Sequence, residues 1–235
     1  MRIHVAFTPA ETAPAPLGVV IDVLRATSTI AQALASGYRR VLCCTEIDEA
    51  LALRAEIPDS LVGGERKAVQ VEGFDVGASP REFLEPRAET LILSTTNGTR
   101  AILETAERCE EVVLGSLLNL DAVARASAGR DAVVVCAGFQ GAFALDDAYC
   151  AGRIVQLVQA ERTDAAIGAE LIARAFPNAP AALNARTYGP PGLEEDIAFC
   201  ARENVLDVVP RLAGMVGPAA EITGSRSRWR LRERS

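Results

Sequence analysis

Short runs of aliphatic and β-branched residues alternate along the chain with Ala- and Leu-rich stretches whose apolar positions fall at helical spacing. That alternation predicts an α/β fold, a mainly parallel sheet flanked by helices, because parallel neighbours need crossover connections and helices supply them. The pattern places strands at 3–7, 19–23, 40–44, 60–63, 90–94, 111–114 and 132–136. Between them it predicts helices at 28–36, 47–56, 98–108, 120–127 and 146–160. The last third reads as more helical, with 163–175 and 193–203, then a capped segment over 204–210 leading toward the C-terminus. No repeat or low-complexity linker interrupts the chain, and the prolines and glycines at 14–16 and 188–192 read as loop punctuation. A single α/β domain is expected over residues 1–224, followed by a short Arg-rich tail over 225–235.

Composition adds little to that frame but removes several function classes. A chain of 235 residues with 49% hydrophobic and 23% charged residues is long enough for a full core. Its apolar runs are far shorter than the roughly 18 residues of a membrane span, and Met1–Phe7 enters a strand-like alternation without a signal-type apolar region. A cytoplasmic protein that neither spans nor needs a membrane is the expectation, and a homo-oligomer is expected. The net charge of −7 is uneven: the tail has five arginines against one glutamate, so the preceding 224 residues carry −11. An acidic body of this kind argues against nucleic acid as a partner. The Arg residues around Trp229 and Leu231 read as a charged edge strand or a loose tail.

Six scattered cysteines form no Cys-x-x-Cys pair and His4 is the only histidine, so thiolate or imidazole metal sites are nearly excluded. A metal, if bound, would take oxygen ligands, which suits Mg²⁺ or Mn²⁺. No cysteine is followed by Arg at the spacing of a cysteine-phosphatase loop, no Gly-x4-Gly-Lys-Ser/Thr loop is present, and Asp22 is followed by Val23 and Leu24 rather than by the second acid of an Asp-x-Asp motif.

Polar residues gather where strands end, which is where ligands bind in open α/β sheets. After the second strand come Asp22, Arg25, Thr27 and Ser28 at a helix start. Helix capping accounts for the hydroxyls but not for Arg25 beside Asp22. After the fourth come Gly64, Glu65, Arg66 and Lys67, then Asp75 and Ser79 in a glycine-flanked loop. Thr96, Asn97, Gly98 and Thr99 follow the next strand and could cradle an anion or simply cap a helix. Gly138 and the pair Asp146-Asp147 follow the strand at 132–136. Together these describe an anion site with carboxylates for a divalent cation.

Taken in order over roughly residues 1–210, the segments 20–30, 64–66, 73–80, 94–99 and 136–138 resemble the 2-phosphosulfolactate phosphatases, the ComB-like family. The resemblance implies an α/β fold unlike that of haloacid dehalogenase phosphatases. It also implies Mg²⁺-dependent hydrolysis of 2-phospho-3-sulfolactate to 3-sulfolactate and phosphate, a step of the coenzyme M biosynthesis type. On these positions the expectation is that Asp22, Arg25, Glu65 and Asp75 are catalytic, Asp22 as base on water or as nucleophile, with the metal held by carboxylates drawn from Asp22, Glu65, Asp75 and Asp147. Arg66, Thr27, Ser28, Ser79, Thr96, Asn97, Gly98 and Thr99 would bind a small anionic phosphorylated substrate. Ala78 and Phe139 depart from the family pattern, which leaves open another small phosphorylated acid as substrate, or a non-catalytic binder of an anionic metabolite.

Overall fold

In a computed structural model, the structure describes residues 1–188 and 192–226. The expected strands are all present: β1 (Arg2–Ala6), β2 (Ala15–Ile21), β3 (Arg40–Cys44), β4 (Ser60–Arg66), β6 (Thr90–Ser94), β7 (Cys109–Gly115) and β8 (Ala132–Cys136). Two-residue strands β5 (Val69–Gln70) and β9 (Glu161–Arg162) extend the edges. The helices are α1 (Ala26–Ser36), α2 (Ile47–Glu56), α3 (Gly98–Ala106), α4 (Leu120–Ser127), α5 (Leu145–Leu157), α6 (Asp164–Ala175), α7 (Ala179–Asn184) and α8 (Glu194–Cys200).

The segment expected to lead into the tail does something else. β10 (Val208–Val216) and β11 (Ala219–Arg226) form an antiparallel hairpin in the middle of the sheet, whose order is β5-β4-β6-β3-β11-β10-β7-β2-β8-β1-β9. The hairpin joins two parallel blocks, β4-β6-β3 and β7-β2-β8-β1, by antiparallel pairings on both sides. Three successive reversals make the blocks run in opposite senses along the sheet. A register shift between Leu212 and Gly214 interrupts the hairpin, and such bulges bend a strand and increase its twist. Most of the Arg-rich tail, residues 227–235, lies outside the described residues, as do both readings of it.

Side-chain alternation along β2 shows the layering. Leu17, Val19 and Ile21 pack with α4, α5 and α6 through Val123, Ile154 and Ala169. Val20 faces the other way, into a core shared by Ile30 and Leu34 of α1, Ile102 of α3, and strands of both blocks, including Val41, Leu91, Leu114 and Val135. Beyond the β3-β6-β4 block, Leu42, Val62 and Ile92 bury Ala50 and Leu53 of α2. The sheet therefore curls around α1 and α3, and α1 is buried continuously from Ala26 to Leu34.

A helix enclosed on all sides must satisfy its own polar side chains. Thr27 donates to the carbonyls of Asp22 and Gly115, Ser28 to Val23, and Thr29 to Ala78. These hydroxyls lock the start of α1 to the ends of β2 and β7 and to the 75–79 loop. All six cysteines are buried free thiols. No helix among the described residues is long and apolar enough to cross a membrane.

Candidate active site

The loops that follow β2, β4, β6 and β8 converge on one cavity of about 290 Å³, lined on its remaining side by Arg186, Tyr188 and Leu193. Asp22, Arg25, Glu65, Lys67, Thr96, Asn97, Phe139, Arg186 and Tyr188 are among its lining residues. The strand-end rule of parallel sheets holds for both blocks at once.

Asp22 stands at the end of β2, only 7% exposed. Its Oδ1 accepts the Ala26 N–H at 3.2 Å, while Oδ2 lies beside Gly98, the first residue of α3. A Cβ on Gly98 would fall 2.7 Å from that oxygen and 2.4 Å from Ala26 Cβ. Glycine is thus what allows the backbone of α3 to approach the carboxylate. Burial, reinforced by the charges of Asp146 and Glu65 and opposed by the Ala26 hydrogen bond and Arg25, pushes the Asp22 carboxyl up to about 7. Behind it, burial also raises Asp146 and raises Asp147 strongly, the latter with added repulsion from Asp146 and Asp22. Asp146 accepts the Tyr188 hydroxyl. Asp147 accepts N–H groups of Val23 at 2.9 Å and Gly138 at 3.0 Å, tying the β2 and β8 loops together.

Glu65, at the end of β4, accepts the Thr96 N–H at 2.8 Å and the Ala68 N–H at 2.6 Å. It braces the β4–β5 turn, where Lys67 and Ala68 both adopt the left-handed conformation, with φ of 54° and 64°. Arg25 is held from two sides: Nη1 donates to Asp196 of α8 at 2.7 Å, and Nη2 donates to the Ala68 carbonyl at 3.1 Å. Asp196 in turn accepts the Ser79 hydroxyl at 2.5 Å. Asn97 accepts the Gln140 N–H at 3.1 Å, and Thr96 Oγ1 is buried without a hydrogen-bond partner. Phe139 stacks on Tyr188 with ring centroids 4.4 Å apart.

Of the residues the sequence pointed to, Asp22, Arg25, Glu65, Thr96 and Asn97 line the cavity, and Gly98 abuts Asp22. Thr27, Ser28 and Asp147 lie behind it, bonded to backbone. Thr99 bonds internally to Thr95, and Ser79 reaches the cavity only through Asp196 and Arg25. Two expected positions are placed apart from the cavity. Asp75, expected among metal and catalytic groups, caps the Val62 N–H and pairs with Arg54 at 2.8 Å, away from the cavity. Arg66, expected on the substrate, donates to Thr45 and Glu65 carbonyls and to Ser94 Oγ. Alternation along β4 explains this: Glu65 and Arg66 point to opposite faces. Arg186, Tyr188 and Asp196 were not singled out by the sequence, and Lys67 was read only as the end of the Gly64–Lys67 cluster, without a role. Tyr188 sits in what reads as loop punctuation, and Asp196 is one of three acids in the first turn of α8.

The expected four-carboxylate metal set does not assemble: no group of three or more metal-ligating side chains is placed to hold an ion among the described residues. Two carboxylates, Asp22 and Glu65, do line the cavity, and Glu65 adds to the rise of Asp22. An all-oxygen pair that repels its own charge fits Mg²⁺, which is commonly held by one or two carboxylates, waters and a substrate phosphate rather than by a protein cage.

A sequence profile of the 2-phosphosulpholactate phosphatase family matches residues 4–214. A protein of Clostridium acetobutylicum is 38% identical over 207 residues, covering 82% of this chain and 88% of its own. One from Carboxydothermus hydrogenoformans is 37% identical, covering 89% and 92%, and one from Thermotoga petrophila is 36% identical, covering 91% and 96%. Each bears the name "probable 2-phosphosulfolactate phosphatase". The chain belongs to the 2-phosphosulfolactate phosphatase family, and is thereby a phosphoric monoester hydrolase.

Proposed function

We propose that this protein is a Mg²⁺-dependent phosphatase that hydrolyses 2-phospho-3-sulfolactate to 3-sulfolactate and phosphate, a step of the coenzyme M biosynthesis type. The observation that carries this reading is the buried Asp22 carboxylate facing a small cavity that also holds the Arg25 guanidinium and the Thr96–Gly98 turn. Phosphoryl transfer is largely positioning and charge stabilisation. Arg25, fixed from two sides, presents its remaining N–H groups to a phosphate, and the otherwise unpartnered Thr96 hydroxyl is available to a phosphoryl oxygen. Asp22 and Glu65 would hold Mg²⁺, which supplies neutralisation of the phosphoryl charge.

In the reaction, water oxygen bonds to phosphorus as the ester P–O bond breaks, and the proton that water gives to Asp22 passes on to the leaving alkoxide. Asp22, the buried carboxylate in the cavity wall, is placed to accept the proton of the attacking water. A related reading, a different small phosphorylated acid as substrate, is favoured by one feature: Ala78 and Phe139, the positions that depart from the family pattern, both line the cavity.

Phosphate release from racemic 2-phospho-3-sulfolactate, 2-phospholactate, phosphoglycolate and an aryl phosphate, each with Mg²⁺ and with EDTA, tests this. Fast, EDTA-sensitive release from phosphosulfolactate is expected. Release from another ester alone would replace the substrate, and release from none would leave a binder of an anionic metabolite.

A further inference from the structure

The cavity is lined by three cations, and they are not equivalent. Arg25 already has a counter-ion, Asp196, at 2.7 Å with both side chains less than a tenth exposed. Lys67 and Arg186 make no ion pair among the described residues. Arg186 Nη1 donates to the Leu183 carbonyl at 3.1 Å, and its charge is felt by Asp146.

Lys67 is held over the cavity at a cost. It and Ala68 occupy consecutive left-handed positions, a tight hairpin turn that favours Gly or Asn. The turn is pinned by the Ala68 N–H on Glu65 and the Ala68 carbonyl on Arg25. Strain of this kind persists where surrounding structure fixes it, and it clusters at ligand sites. Here the turn that presents Lys67 is tied to the same two residues, Glu65 and Arg25, that face the phosphate in the reading above.

Resting on that reading of the same cavity, we infer that Lys67 and Arg186 form a second-anion subsite, which selects phosphate esters carrying a further strong anion, a sulfonate or a carboxylate, a few atoms from the ester. Arg25, its charge matched by Asp196, orients the phosphoryl group. Lys67 and Arg186, without counter-ions, take theirs from the ligand. This gives two-point recognition, and it explains how a cavity with carboxylates in its wall admits a multiply charged anion. The cations that offset those carboxylates come from the β4–β5 turn, whose Gly64–Lys67 stretch the sequence marks as a polar cluster, and from the chain after α7, which it does not.

The test compares Lys67→Gln and Arg186→Gln with the parent on 2-phospho-3-sulfolactate, 2-phospholactate and an aryl phosphate. The ratio of kcat/KM for phosphosulfolactate to that for the aryl phosphate is expected to fall on the order of 10- to 100-fold, the range for losing one hydrogen bond to a charged group. Lys67→Arg should restore much of it. A fall shared by phospholactate marks the carboxylate as the second anion; a fall confined to phosphosulfolactate marks the sulfonate. An unchanged ratio in both variants overturns the subsite. Calorimetric titration with inorganic phosphate and with 3-sulfolactate separates this from failure of the phosphatase reading, because it needs no turnover. If the parent releases no phosphate yet binds 3-sulfolactate, and both variants weaken that binding but not the binding of phosphate, the subsite stands. Equal weakening of both ligands, or of neither, overturns it.

Discussion

Replacing Asp22 with Asn should abolish turnover and, at the same time, make the protein more stable above neutral pH. In the unfolded chain this carboxyl ionises near 3.8; in the fold, burial and the neighbouring Asp146 and Glu65 charges move it to about 7. Between those values the native state keeps a proton that the unfolded chain has released, so stability falls as pH rises through the window, and the whole penalty is present above about 7. A rise of that size corresponds to about 4 kcal/mol. Asparagine removes the charge and keeps an oxygen for the Ala26 N–H, but its amide must find partners of its own. A net gain of about 2 kcal/mol is therefore expected, about 4–8 °C in Tm for a chain of this length. Thermal unfolding at pH 8 and pH 3.5, with EDTA present, measures it. The variant should melt higher at pH 8, and the order should reverse at pH 3.5, where Asp22 is largely protonated in both states and only the cost of the amide, about 2 kcal/mol, remains. The kcat should drop about 10²- to 10⁴-fold, the range for losing a positioned proton acceptor. An Asn variant that melts no higher than the parent at pH 8 would refute the electrostatic account of the site, and near-normal turnover would remove Asp22 from the chemistry.

Three further outcomes follow from the contacts. Gly98→Ala places a methyl group 2.4 Å from Ala26 Cβ and 2.7 Å from Asp22 Oδ2, so denaturant titration should show a loss of about 1–3 kcal/mol and phosphate release should fall with it. Asp196→Asn strips the counter-ion from a buried guanidinium; a destabilisation of about 3–5 kcal/mol is expected from the shift in denaturant midpoint, with a higher KM from a loosened Arg25. Asp75→Asn, by contrast, should leave kcat and KM as they are, because that carboxylate serves Val62 and Arg54 outside the cavity; a large drop in kcat would bring Asp75 back into the site.

The strands of both parallel blocks were legible because each is a short, nearly continuous aliphatic run, as strands covered on both faces must be. The central hairpin was not. Pro210, Gly214 and Gly217 break the β10–β11 stretch, and its outward alternation mixes Arg211, Glu221 and Thr223 with small residues. Its place in the sheet depends on long-range pairing with Cys43 and Val113 that no local pattern encodes. The site divides in the same way. Asp22, Arg25 and Glu65 stand where strands end, so position alone marks them. Lys67 was visible at the end of the Gly64–Lys67 cluster but without a role, because its turn uses left-handed residues without glycine, and Asp196 was hidden because a first-turn acid looks like ordinary dipole complementation. The hydroxyls of Thr27 and Ser28 misled for the opposite reason. In sequence they look like ligand donors, but a helix enclosed by a curled sheet needs them for itself.

That enclosure also accounts for the sharing of labour among the acids. Asp147 gives both oxygens to backbone N–H groups of the β2 and β8 loops, so it sets where Asp22 stands without facing the cavity. Asp146 is covered by Tyr188, whose ring is fixed by Phe139. Among the described residues only Asp22 and Glu65 remain as carboxylates lining the cavity, and Glu65 is itself engaged by Thr96 and Ala68. A stack of buried carboxylates is unstable as a set of charges, and the fold tolerates it by bonding each member except Asp22 to groups that hold both oxygens or cover them. The unspent electrostatic tension is thereby concentrated on one carboxylate, beside a glycine that leaves room for nothing larger than a hydrogen atom between it and α3. The role proposed for Asp22 draws on that condition, a carboxylate fixed in place in the cavity wall.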